Sequence, residues 1–219
     1  MVVDEAQDFA DGWWGALIAA LRDEETGGLY AFSDEAQRVF SRYGGPALQL
    51  VPLVLDHNLR NTRPIASVFN PLTSMRMRLM GGDGPAVRFV ECPSSEALAE
   101  ADDQVEVLLD EGWRARDVAL LTTGSRHPEQ AARQLAGHRA YWDSFWDEDQ
   151  VFYGHVLGFK GLERRAVVLA LNETDTPRRS RERLYVGLSR ARDQLVVCGD
   201  PDFIEATGGP AVLRQLRGT

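Results

Sequence analysis

Apolar and polar positions switch period repeatedly along the chain, and the switches predict strands and helices in alternation. Val2-Val3 is an apolar stub that ends in Asp4-Glu5. Buried strands usually run five or six residues, so this element reads as cut at its start. Positions 13, 14, 17, 18 and 21 are apolar, a helical period that predicts a helix over 12–23, closed by Thr26-Gly27-Gly28. Leu29 to Phe32 predicts a short strand, and Gly44-Gly45-Pro46 breaks the chain. A boundary placed there gives two domains, 1–47 and 48–219.

A second series begins at Leu50. It predicts strands over Leu50 to Leu55, Ala86 to Glu91, Val118 to Thr122, near Val151 to His155, over Ala166 to Leu171 and over Gln194 to Gly199. Helices are predicted over Pro64 to Leu72, Glu96 to Glu111 (capped by Ser94-Ser95), Pro128 to Leu135, Glu182 to Arg190 and Pro210 to Leu216. Strands alternating with helices give an α/β fold, a parallel sheet covered on both faces. Trp142, Phe145 and Trp146 are read as packing residues rather than base-stacking ones.

Composition bounds the rest. The chain has 219 residues and 44% hydrophobic content, ordinary for a globular protein. No apolar run reaches the roughly 18 residues that a membrane span needs, and no basic-then-apolar leader opens the chain; no membrane partner and a cytoplasmic location are expected. Two distant cysteines, Cys92 and Cys198, are expected as reduced thiols. The net charge of −9 argues against a broad basic grip on nucleic acid and leaves room for a narrow channel lined by a few arginines.

The chemistry sits in short segments. Asp4-Glu5 stands at the carboxyl end of an apolar strand, where ligands bind in open α/β sheets. One carboxylate can hold Mg2+ while its neighbour handles a water; the plain alternative is an acidic turn. Gln37 follows the second predicted strand and could contact a terminal phosphate or an attacking water. Arg60 and Arg190 are candidate arginine fingers, since guanidinium forks suit the charge of a transferring phosphoryl group. Glu163 could accept from a sugar hydroxyl and Lys160 could touch backbone or phosphate, the alternative being a surface ion pair. Lys160 is the sole lysine against 23 arginines, and Gly161 follows it. A phosphate-cradling P-loop needs lysine followed by serine or threonine, so these residues contain none. The four histidines and two cysteines show no metal-ligand spacing.

In order and spacing, five of these segments resemble the UvrD/PcrA-like superfamily 1 DNA helicases from the second ATPase motif to the C-terminus. Val3-Asp4-Glu5-Ala6-Gln7-Asp8 resembles the magnesium motif and Ser33-Asp34-Glu35-Ala36-Gln37 the third motif. Asn58-Leu59-Arg60-Asn61-Thr62 resembles the fourth, Gly158-Phe159-Lys160-Gly161-Leu162-Glu163 the fifth, and Leu184 to Arg192 the sixth. The likeness is nearest to the branch often fused to a nuclease-related domain. Leu59 stands where many relatives carry a tyrosine that stacks on adenine. The resemblance implies a RecA-like sheet of the P-loop NTPase type, with residues 48–219 as the second motor domain and 1–47 as a fragment of the first. It implies ATP and Mg2+ as cofactors, Asp4 on the metal, Glu5 activating water and Gln37 sensing the γ-phosphate. Arg60 and Arg190 become phosphate-contacting fingers, and Gln7, Lys160, Gly161 and Glu163 join the nucleotide site, Glu163 on the ribose. Partners implied are single-stranded nucleic acid, DNA first, and a P-loop half in a longer polypeptide or a separate chain. The chain by itself is then expected to be ATPase-deficient. The alternative is a non-catalytic truncated helicase paralogue that binds nucleic acid or a protein.

Overall fold

The structure, a computed structural model, describes residues 1–23, 27–34, 49–174 and 179–218. Gln37 and the break at Gly44-Gly45-Pro46 lie outside the described residues. The fold divides into two compact units, Met1–Leu55 and Asp56–Thr219.

In the first unit, β1 (Val2–Val3) pairs in parallel with β2 (Tyr30–Ala31), Val2 opposite Tyr30. The helix α1 (Asp11–Ala19) is shorter than its periodicity predicts. Its end tightens: Ala20 N–H reaches both Ala16 O and Leu17 O, and Leu21 N–H reaches Ile18 O, so three-residue bonds satisfy carbonyls that a further turn would have used. Val3, Ala6 and Trp14 form a small core with Phe9 and Leu17.

Leu50 to Leu55 is not a strand. Val51 and Leu53 are each 85% exposed and Leu55 77%, and no described strand pairs with them. An apolar run becomes a strand only where a neighbour takes its N–H and C=O groups.

In the second unit, β3 (His57–Asn58) is followed by α2 (Arg63–Phe69) and β4 (Arg78–Leu79), which pairs back to β3 in parallel. Then come β5 (Arg88–Glu91), α3 (Ala97–Asp110), β6 (Val118–Thr122), α4 (Pro128–Leu135), α5 (His138–Trp146), β7 (Phe152–His155) and β8 (Arg164–Ala170). The chain finishes with α6 (Ser180–Leu188), β9 (Ala191–Gly199), α7 (Pro201–Gly208) and α8 (Pro210–Arg217). The main sheet has five strands in the order β5-β9-β8-β6-β7, every pair parallel. The expected α/β class, a parallel sheet flanked by helices, is therefore present.

Alternation along the central strands assigns their two faces. Val118, Leu120, Ala166, Val168, Val196 and Cys198 meet Ala97, Ala101, Val105 and Leu108, the one apolar stripe of α3. Leu169, offset by one residue, points to the other face and packs against α6. A Cβ at Gly187 would lie 2.7 Å from Leu169 Cδ1, so glycine is what lets α6 approach the sheet. Phe69 of α2 meets Tyr185 of α6 edge-on, ring centres 5.6 Å apart.

Two helices went unpredicted. α5 carries the aromatic residues read as packing residues; Tyr141 and Phe145 are buried, while Trp146 is 78% exposed. α7 starts at Pro201 with Asp200 Oδ1 accepting from Asp202 N–H at 2.8 Å, a capping signal short enough to pass as a loop. Ser94-Ser95 does not cap α3. Glu96 N–H and Ala97 N–H bond Pro93 O instead. Both cysteines are buried free thiols, and burial pushes the Cys92 thiol up. Among the described residues no helix is long and apolar enough to cross a membrane.

Candidate functional site

In the first unit Asp4 and Glu5 leave β1 through a sharp turn. Glu5 has φ 52° and ψ 40°, a left-handed conformation uncommon outside glycine. Its N–H donates to Asp4 Oδ1 at 2.9 Å. Gln7 is 2% exposed and uses both ends of its amide: Nε2 donates to Glu5 Oε2 at 2.5 Å, and Oε1 accepts from Asp34 N–H at 3.0 Å. With Ala6 N–H on Phe32 O at 2.8 Å, Gln7 fastens the end of β1 to the segment after β2 and orients the Glu5 carboxylate. Magnesium is typically held by one or two carboxylates, the rest of its shell being waters and phosphates. Exposed Asp4, at a strand end, fits that chemistry. No group of three or more His, Cys, Asp or Glu able to hold a metal occurs among the described residues.

In the second unit a buried amide pair ties the fourth motif segment to the sixth. Asn61, 3% exposed, donates from Nδ2 to Ser189 O at 3.1 Å and Ala191 O at 2.6 Å. Its Oδ1 accepts from Asn58 Nδ2 at 2.9 Å, and its N–H donates to Asn58 Oδ1 at 3.1 Å. Thr62 N–H adds a bond to Arg192 O at 3.0 Å, and Arg164 N–H one to Arg190 O at 3.1 Å. Three separate loops are thus held at the amino ends of β8 and β9.

This frame presents the charged side chains. Glu163 accepts from Arg60 Nε at 2.9 Å through Oε2, and its Oε1 lies 3.4 Å from Arg192 Nη1. The three are part-exposed, at 39% for Arg60 and Glu163 and 51% for Arg192. Arg190 differs: it is 1% exposed. Its Nε donates to Val186 O at 3.0 Å, Nη1 to Leu162 O at 3.3 Å and Nη2 to Ser189 Oγ at 2.8 Å. Lys160 is half-buried in the turn between β7 and β8, and Gly161 closes that turn with φ +81°, which favours glycine.

The structure therefore brings Arg60, Glu163 and Arg190 into one neighbourhood and adds Asn58, Asn61 and Arg192, which sequence reasoning missed. The signals were faint. Asn58 and Asn61 flank the arginine three residues apart, and Arg192 lies two residues beyond Arg190 at the start of a strand.

At the other end of the sheet, His155 closes β7. Its Nδ1 accepts from Leu157 N–H at 3.2 Å, so the proton sits on Nε2, which faces Thr123 O at 3.1 Å. Burial holds its pKa below the ordinary value of 6.5. The folded state therefore prefers neutral imidazole, and the unfolded chain binds the extra proton first. The stability this supplies is complete above the ordinary value and is lost as pH falls from there through the folded value. Thermal melts are expected to drop between pH 7.5 and 5.5, and His155→Gln should flatten that part of the profile; an unchanged slope would contradict the assignment.

With the geometry in place, comparison with known proteins can be set beside it. Residues 155–198 match the family model for the UvrD-like helicase C-terminal domain, a span that includes Glu163, Arg190 and Arg192. That segment supports the UvrD-like C-terminal helicase portion which the order of motifs resembles. Among solved structures, the C-terminal domain of a possible DNA helicase from Lactobacillus plantarum WCFS1 is similar at 18% identity and TM-score 0.43, over 70% of this chain and 91% of that one. The PRRSV helicase is similar at 19% identity and TM-score 0.49, over 92% of this chain and 34% of that one; this chain spans about a third of that helicase. No curated protein matches.

Proposed function

We propose that this chain is the C-terminal part of an ATP-dependent superfamily 1 DNA helicase or translocase, with ATP bound between two RecA-like domains. The observation that carries the reading is the assembly of Arg60, Glu163 and Arg190 from three separated motif segments, two tied by the Asn61 amide and the third by the Arg60–Glu163 and Arg190–Leu162 contacts. A frame that rigid suits residues that must meet a phosphoryl group in fixed geometry. In this reading Asp4 takes the Mg2+ that ATP brings, which neutralises phosphate charge. Glu5, held by Gln7, orients a water or takes its proton. Arg60 contacts phosphate oxygens, Arg190 joins it by turning out of its bonds to Val186 O, Leu162 O and Ser189 Oγ, and Lys160, Gly161 and Glu163 border the nucleotide. Gln37 is proposed as the γ-phosphate sensor from sequence alone. The substrate is single-stranded DNA, and the P-loop comes from a preceding segment or a partner chain.

The test joins the chain to a P-loop-bearing first half and follows ATP turnover with and without single-stranded oligonucleotide. Strand-stimulated turnover that collapses in Asp4→Asn is the expected result. Turnover indifferent to both the oligonucleotide and Asp4 would contradict the proposal.

A further inference from the structure

The pair of guanidiniums on Glu163 is a site already filled by an anion of the protein's own. Each carboxylate oxygen takes one arginine, Arg60 at 2.9 Å and Arg192 at 3.4 Å. The backbones beneath are fixed by Asn61 and Thr62, so the two arginines are pre-set to converge on an anionic group. Among the described residues, nothing else locks the three side chains. All three side chains are part-exposed, and exposed ion pairs are worth only about 0.2–1 kcal/mol each. A polyanion that offers several oxygens can outcompete a single carboxylate for two such forks.

We infer that Arg60 and Arg192 form a two-pronged site for the phosphates of a polyphosphate tail, and that Glu163 is its internal stand-in, displaced when phosphate enters. Arg192 is thereby a phosphate-binding residue, and Glu163 is a competitor that sets the threshold for binding. The inference rests on the nucleotide reading proposed above for its biological ligand, but its chemistry needs neither ribose nor base. It makes a signed claim: neutralising Glu163 tightens phosphate binding. A carboxylate that served only to hold a sugar hydroxyl would not affect a ligand without sugar.

The experiment is calorimetric titration of the full chain at low ionic strength with inorganic tripolyphosphate, with single-stranded oligothymidylate in a parallel arm. Glu163→Gln should bind tripolyphosphate about three- to thirtyfold tighter than the original chain, the range set by one or two exposed ion pairs no longer being broken. Arg192→Gln should weaken binding, and the double variant should lose the gain. Circular dichroism of each variant establishes that it is folded. Tripolyphosphate binding unchanged or weakened in Glu163→Gln, or indifferent to Arg192→Gln, overturns the inference, as does a gain confined to the oligonucleotide. The tripolyphosphate gain together with no strand-stimulated ATP turnover in the joined protein would leave this site standing and remove the helicase reading. Normal turnover without the gain would do the reverse.

Discussion

Changing Arg183 to methionine is expected to destabilise the second unit by about 3–5 kcal/mol, the usual penalty for stripping one partner from a buried ion pair. Glu173 follows β8 with its side chain 3% exposed, and Arg183 on α6 is 18% exposed. The carboxylate accepts from Arg183 Nη2 at 2.9 Å and from Ser180 Oγ at 2.8 Å, both through Oε2. Its other oxygen, Oε1, is buried without a hydrogen-bond partner among the described residues, as is Arg183 Nε. Removing the guanidinium leaves a desolvated negative charge held by one hydroxyl. Replacing both, Glu173→Leu with Arg183→Met, should recover most of the loss, because a buried pair exchanged for apolar groups of similar volume is often neutral. Urea melts of the two single variants and the double variant check this. A loss below about 1 kcal/mol in Arg183→Met, or a double variant no better than the singles, would contradict the buried-pair account.

The second large effect is catalytic. In the protein joined to a P-loop half, Arg190→Ala is expected to lower ATP turnover on the order of 10³-fold, the scale of losing an arginine finger. The same guanidinium also supports the fold, since it is 1% exposed and donates to Val186 O, Leu162 O and Ser189 Oγ. Its removal strands buried acceptors, at about 1–3 kcal/mol. Arg190→Lys separates the two roles: it keeps the charge and loses the fork, so it should fold better than the alanine variant and remain poor in turnover. Turnover is counted per folded molecule from the amplitude of a thermal melt. Near-normal rates in folded Arg190→Ala would sink the finger assignment.

Much of the second unit was legible because its central strands β6, β8 and β9 are buried on both faces. Val118–Thr122 and Ala166–Leu171 are near-continuous apolar runs, and the predicted ranges fall within a residue or two of β6 and β8. Pro128 to Leu135 matches α4 because proline fixes the start. What failed was context. Leu50 to Leu55 has the apolarity of a core strand and, among the described residues, no strand to pair with. Of the candidate site, the order of motifs singled out Arg60, Glu163 and Arg190, since each is tied to a local pattern. The Asn58–Asn61 pair stayed hidden because Asn61 bonds partners 128 and 130 residues away, a distance no local period records, and Arg192 because its partner Glu163 lies on another loop.

The proposed function rests on a division of labour: acidic and guanidinium groups in this chain would act with an amine and loop amides supplied by another segment. The decisive measurement is steady-state ATP hydrolysis by the purified 219-residue chain, alone and then mixed with a P-loop-bearing half. The account predicts negligible hydrolysis alone and turnover restored on mixing. Brisk hydrolysis by the chain alone, abolished by Asp4→Asn with Glu5→Gln, would contradict it.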